Sequence, residues 1–100
     1  MHDRSEIQKY REMLENLPQQ PENLAKLEQL AENGNAEVMY ILGWCYFKGE
    51  YLVKDLEKSQ YWLANAKNQG HKNATELLVY VIFLINHKKS RNKLKTSDFF

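Results

Sequence analysis

Apolar residues recur three and four positions apart along most of the chain, the spacing that gathers them on one face of an α-helix. Ile7, Tyr10, Met13, Leu14 and Leu17 form the first stripe, and Asp3 and Glu6 are spaced as a capping box, predicting a helix from about Arg4 to Asn16. Pro18 ends it, and Pro21 suits the first turn of a second helix carrying Leu24, Leu27, Leu30 and Ala31. Gly34 closes that helix, because glycine enters the left-handed conformation at a C-cap without steric cost. A third helix is predicted over Ala36 to Lys48, stopping at Gly49. After the loop from Glu50 to Lys54, Asp55 is the N-cap of a fourth, which carries Leu56, Trp62, Leu63 and Ala66 and runs to Gly70. A fifth is expected from about Lys72 to His87. No segment of useful length alternates strictly, so the fold class is all-α, with about five helices.

The pattern repeats at a lag of 36 residues: Gly34 recurs as Gly70, Leu27 as Leu63, Leu30 as Ala66, Leu42 as Leu78 and Tyr46 as Ile82. Repeating helical pairs imply a short α-solenoid of antiparallel pairs. Gly43 fits this arrangement. A mid-helix glycine costs about 1 kcal/mol against alanine, which is reasonable where another helix passes too close for a side chain. Leu42, Tyr46, Leu63 and Ala66 then form the seam.

The run Ala31-Glu32-Asn33-Gly34-Asn35-Ala36, followed by Tyr40, Leu42-Gly43, Tyr46, Gly49, Asp55, Lys58, Trp62, Ala66 and Gly70, resembles a Sel-one-like repeat, a family related to the tetratricopeptide repeats. The match covers residues 31 to 78, while residues 1 to 30 match only as helix-loop-helix. The resemblance implies a right-handed superhelix and a role as an adaptor that holds other proteins. Val38 and Ser59 stand where the family usually has alanine, and Tyr51 where it usually has a loop glycine.

The larger departure comes at the fifth helix, where Gly43 becomes Val79 and Gly49 becomes Ile85 at the repeat lag. Neither a close helix approach nor a turn into another helix is encoded there. A terminal solenoid helix ordinarily has a polar outer face. Here Ala74, Leu78, Val81, Ile82 and Ile85 make one apolar face, and Val79, Tyr80, Phe83 and Leu84 make another. Three readings of the second face stand: a tail folded back through Leu94, Phe99 and Phe100, a partner or self-association surface, or a longer and more buried helix. A second candidate surface is the inner face of the solenoid, where Glu37, Ile41, Trp44 and Lys48 recur as Asn73, Leu77, Tyr80 and Leu84. Exposed Trp and Tyr supply large contact area at low rotamer entropy, although Trp44 packed on the loop at Tyr51 is an equal alternative.

Composition narrows the function. With 14 Lys and Arg against 13 Asp and Glu the net charge is +1, so no overall field draws the chain to nucleic acid or membrane. The balance conceals a net −4 over residues 1 to 50 and +5 over residues 51 to 100. Residues 1 to 90 are expected to form one domain, and residues 91 to 100 a flexible basic tail. The cations Lys88, Lys89, Arg91, Lys93 and Lys95 read first as a solvated, dipole-complementing helix end, and second as a phosphate contact. Cys45 is the only cysteine, which fits a reducing compartment, and the first residues lack an apolar leader, so a cytoplasmic protein is expected. The apolar run Leu77 to Ile85 is about half the length of a membrane-spanning helix. His2, His71 and His87 are scattered without metal-ligand spacing, His71 is expected at the surface, and no phosphate loop is present. An enzyme, a cofactor and a metal are therefore not expected.

The expectation is a protein-binding module, an adaptor or dedicated inhibitor, whose short array has room for one compact interface. In a bacterial source the specific form is an immunity protein that neutralises a cognate toxin. The candidate contact residues are Glu37, Ile41, Trp44, Lys48, Leu77, Tyr80, Phe83 and Leu84. The alternative is a structural homodimer through Tyr80, Phe83 and Leu84, and a third reading is anion or nucleic-acid binding by the tail.

Overall fold

Three of the helix ends expected from glycine close in the same way. Gly34, Gly49 and Gly70 have φ of 104°, 73° and 89°. The next amide in each case, at Asn35, Glu50 and His71, donates back to Leu30, Cys45 and Ala66 at 3.1, 3.1 and 3.0 Å. This is the Schellman closure, which satisfies carbonyls that a helix end otherwise leaves bare. The computed structural model describes residues 4–97, and the side chains of residues 6–88, as five α-helices with no strand. They are α1 (Arg4–Glu15), α2 (Glu22–Glu32), α3 (Ala36–Lys48), α4 (Leu56–Asn68) and α5 (Lys72–Ser97). Asp3 of the expected capping box lies outside the described residues.

Side-chain caps set where the inner helices begin. Asn35 Oδ1 accepts the Val38 amide at 3.1 Å at the start of α3, while its Nδ2 donates to the Tyr10 hydroxyl at 3.1 Å, tying α1 to that cap. Asp55 Oδ1 accepts the Glu57 and Lys58 amides at the start of α4. Pro21, with φ −62°, is the N-cap of α2. The buried Asn23 on α2 donates to the Met13 carbonyl at 3.0 Å, joining the first two helices through a satisfied polar contact.

Packing follows chain order, with α3 resting chiefly on α4 and α4 on α5, as stacked helical pairs require. Leu14, Leu27, Val38, Leu42, Leu63 and Val81 are fully buried along this axis. The seam is set by Gly43: a Cβ there would lie 2.6 Å from Leu63 Cγ and 3.3 Å from the Ser59 carbonyl. Ser59 is also fully buried, and its Oγ donates to the Gly43 carbonyl at 2.6 Å.

Helix α5 extends ten residues beyond the end expected at His87. The cause lies in the repeat itself. Ile85 occupies the place of the helix-ending Gly49, and neither glycine nor proline occurs from His71 onward. Lysine and arginine are good helix formers and complement the C-terminal dipole, so the basic segment from 91 to 97, expected as tail, continues the helix. The chain consequently does not turn back over Val79 and Phe83 before Ser97. Phe99 and Phe100, and the side chains of Lys89, Arg91, Lys93, Leu94 and Lys95, lie outside the described residues.

Candidate partner-binding surface

Three of the four candidate residues on α3 line a groove of about 440 Å³ between α1 and α3, and Lys48 lies outside its lining. Glu37, Ile41 and Trp44 form one wall with Tyr40, and Ile7, Arg11 and Glu15 of α1 form the other. Leu14 and Cys45, both buried, make the floor, and Tyr51 and Glu50 close one end. Lys48 is exposed, with its Nζ 5.7 Å from the centroid of the Trp44 ring one turn earlier. Trp44 itself is half-buried, so it presents part of its ring to the groove from a fixed position on the helix.

Tyr51 holds a left-handed φ of 66°. It is the non-glycine residue with positive φ among the described residues. A side chain in this conformation costs about 1–2 kcal/mol. The Tyr51 hydroxyl donates to Glu15 Oε2 at 3.4 Å, bridging the mouth of the groove from the α3–α4 loop to α1. Both readings of Trp44 therefore meet in one place, since the Trp44 wall and the Tyr51 loop border the same groove.

The remaining candidates lie on α5. Tyr80 is half exposed, and its ring meets Phe47 of α3 edge-on, with centroids 5.7 Å apart and planes at 77°. Phe47 was not among the sequence candidates, although its position three residues after Trp44 places it on a neighbouring part of the same helix surface. It joins Tyr80 of α5 to the surface of α3. Phe83 is 58% exposed and stacks on His87. Leu77 and Leu84 are half-buried, and Leu77 packs against the core. On the opposite face of α5, Ala74, Leu78 and Val81 are buried, and Ile82 and Ile85 pack against the core.

His71 is not the surface residue the sequence suggested. Its ring stacks on Tyr40, with centroids 4.4 Å apart and planes at 16°, and its Nε2 lies 3.2 Å from Glu37 Oε1. Its side chain is 11% exposed, because α5 begins directly against the start of α3. Glu37 is thus a groove residue whose carboxylate already has a neighbour within the chain.

Burial, and secondarily the Glu50 charge, push the Cys45 thiol up to about 11, so at neutral pH it is a protonated core thiol. Burial, with Glu37 and Glu76 nearby, raises the Tyr40 hydroxyl as well. The described residues contain no cluster of three or more His, Cys, Asp or Glu able to hold a metal ion, and no helix among them is long and apolar enough to cross a membrane. A second cleft, about 660 Å³, lies between α1 and α2 and is lined mainly by amide and charged side chains such as Asn16, Gln20, Lys26 and Gln29. It lacks aromatic anchors. Comparison with family models, curated proteins and solved structures gave no match.

Proposed function

We propose that this chain is a protein-binding module of the Sel-one-like kind, an adaptor or dedicated inhibitor that holds one partner in the α1–α3 groove. The observation that carries this reading is the half-buried Trp44 in a groove walled by Ile7, Ile41 and Tyr40. A large ring held by its own helix loses little entropy on contact, which is the property of interface anchors. Glu15, Glu37 and Glu50 border the groove with Arg11 as the single Lys or Arg among its lining residues. That balance favours a partner segment combining apolar side chains with Lys or Arg. Support for the repeat kinship comes from the recurrence of the Gly34 closure at Gly70 and from the close approach at Gly43.

In a bacterial source, the most specific form of this function is neutralisation of a toxin encoded beside the gene. The deciding experiment is affinity capture from the source cell with the wild-type chain and with Trp44→Ala, both shown by circular dichroism to be helical. One stoichiometric partner should be retained by the wild type and lost by the variant. Equal retention by both would move the interface away from the groove.

A further inference from the structure

The carbonyls in the last turn of an α-helix have no partner inside the helix. In α1 those of Glu12 and Leu14 accept the Asn16 and Leu17 amides, and that of Met13 accepts Asn23 Nδ2 from α2 at 3.0 Å. A carbonyl can only accept, so this contact fixes which way the Asn23 carboxamide faces. The second hydrogen of Nδ2 goes to Gln20 Oε1 at 3.2 Å. Both donors of Asn23 are therefore consumed by the fold, and its Oδ1 is left as an oriented acceptor. Gln20, whose oxygen is engaged by Asn23, is left with Nε2 as a donor. Asn23 is only 4% exposed, so this is not an ordinary solvated amide. Buried polar atoms are as a rule paired, and the unused Oδ1 is open to a donor from outside the chain.

Asn23 and Gln20 both line the cleft of about 660 Å³ between α1 and α2. The cleft continues at helical spacing, past Asn16 on α1 and past Lys26, Leu30 and Asn33 on the α2 side. From Asn23 to Asn33 the rise along α2 is about 15 Å. That is the span of roughly four or five residues of extended chain. We propose that this cleft binds an extended peptide segment of a partner protein through its main chain. In an extended chain the N–H and C=O of one residue point to the same side. The N–H donates to Asn23 Oδ1, and the C=O accepts from Gln20 Nε2. The lining holds no aromatic residue to stack a base or a sugar ring, and Lys9 and Lys26 against Glu12 leave too little positive charge to hold a phosphate backbone. Recognition therefore rests on hydrogen bonds and depends little on salt. The cleft shares no lining residue with the α1–α3 groove, so this contact is independent of the reading given to that groove.

An NMR titration of the full chain, labelled with nitrogen-15, against the neutral capped peptide acetyl-tetraalanine amide tests it. At millimolar peptide, saturable shifts should appear in the side-chain amides of Asn23 and Gln20, while the Trp44 indole stays in place. An analogue methylated at its main-chain nitrogens lacks the donors and should bind several-fold more weakly. Gln20→Glu keeps the oxygen that Asn23 uses and removes the Nε2 donor, so it should stay folded and weaken the peptide about three- to tenfold. Added salt should leave the wild-type affinity within about twofold. No saturable shift, equal affinity for the methylated analogue, or shifts centred on Trp44 overturns the proposal. So does undiminished affinity in Gln20→Glu, or tighter binding of the neutral sugar cellotetraose, which would make the cleft a polyol site.

Discussion

Ser59 donates its hydroxyl to the Gly43 carbonyl at 2.6 Å, directly beside the point where Leu63 fills the space a Gly43 side chain would need. The two residues are one device: glycine lets α4 approach, and serine uses that approach for a buried hydrogen bond. Gly43→Ala gains about 1 kcal/mol of helix propensity. It also drives a methyl into the fully buried Leu63, and overpacking of that kind costs about 1–3 kcal/mol. A Cβ separation as short as 2.6 Å belongs at the upper end of that range, so net destabilisation by about 1–2 kcal/mol is expected, read as a lower urea midpoint at unchanged m.

Ser59→Ala tests the other half. It removes the donor and leaves a carbonyl at an interior seam, at a cost of about 1 kcal/mol. The double variant Gly43→Ala, Ser59→Ala should destabilise by an amount different from the sum of the two, because both act on the same α3–α4 separation. Additive effects would mean that the hydrogen bond and the steric gap are unconnected.

Much of this seam is legible in the sequence because its causes are local or periodic. A glycine inside an apolar helix announces a close neighbour, and glycine at a 36-residue lag announces repeated helix ends. What the sequence concealed depends on contacts across long separations. His71 is drawn inward by Glu37, 34 residues earlier, and by Tyr40, and nothing in its own neighbourhood signals either partner. The second wall of the groove was hidden for a related reason: Ile7 and Leu14 share one apolar stripe, which does not reveal that Ile7 lines the groove while Leu14 lies at its buried floor. The length of α5 was readable in principle, since Ile85 replaces the stop residue Gly49, yet the polarity after His87 resembles a tail.

Tyr51 is expected to show a conflict between stability and binding. Glycine at this position relieves a left-handed side chain worth about 1–2 kcal/mol, partly offset by about 0.5–1 kcal/mol from the freer unfolded chain. The exposed 3.4 Å contact with Glu15 offsets little more. Tyr51→Gly should therefore match the wild type or melt a few degrees higher, while binding the partner more weakly because the groove loses one end. A variant that melts lower would show that the Tyr51 ring supports the fold through the loop.

The two tryptophans should report separately on core and groove. Trp62 is 7% exposed, and Trp44 is half-buried at the groove wall. Acrylamide should quench Trp44 in a Trp62→Phe chain more readily than it quenches Trp62 in a Trp44→Phe chain. Partner binding should protect the former and leave the latter unchanged. Equal protection would place the contact outside the groove or couple it to the whole fold.

Alkaline pH should expose the cost of ionising Cys45. Burial holds its thiol up near 11, against an ordinary value of 9.0, so the folded state favours the neutral form. For an acid whose folded value is raised, the contribution to stability is complete below the unfolded value and is lost as pH climbs toward the folded one. Stability should thus fall between about pH 9 and 11, with Tyr40 and Tyr46, also raised chiefly by burial, adding to the loss at the upper end. Cys45→Ala should begin from a lower plateau because it leaves a small cavity, and should decline less steeply across the same window. Urea titrations at several pH values would measure both slopes, and identical slopes would remove Cys45 as the source of the alkaline loss.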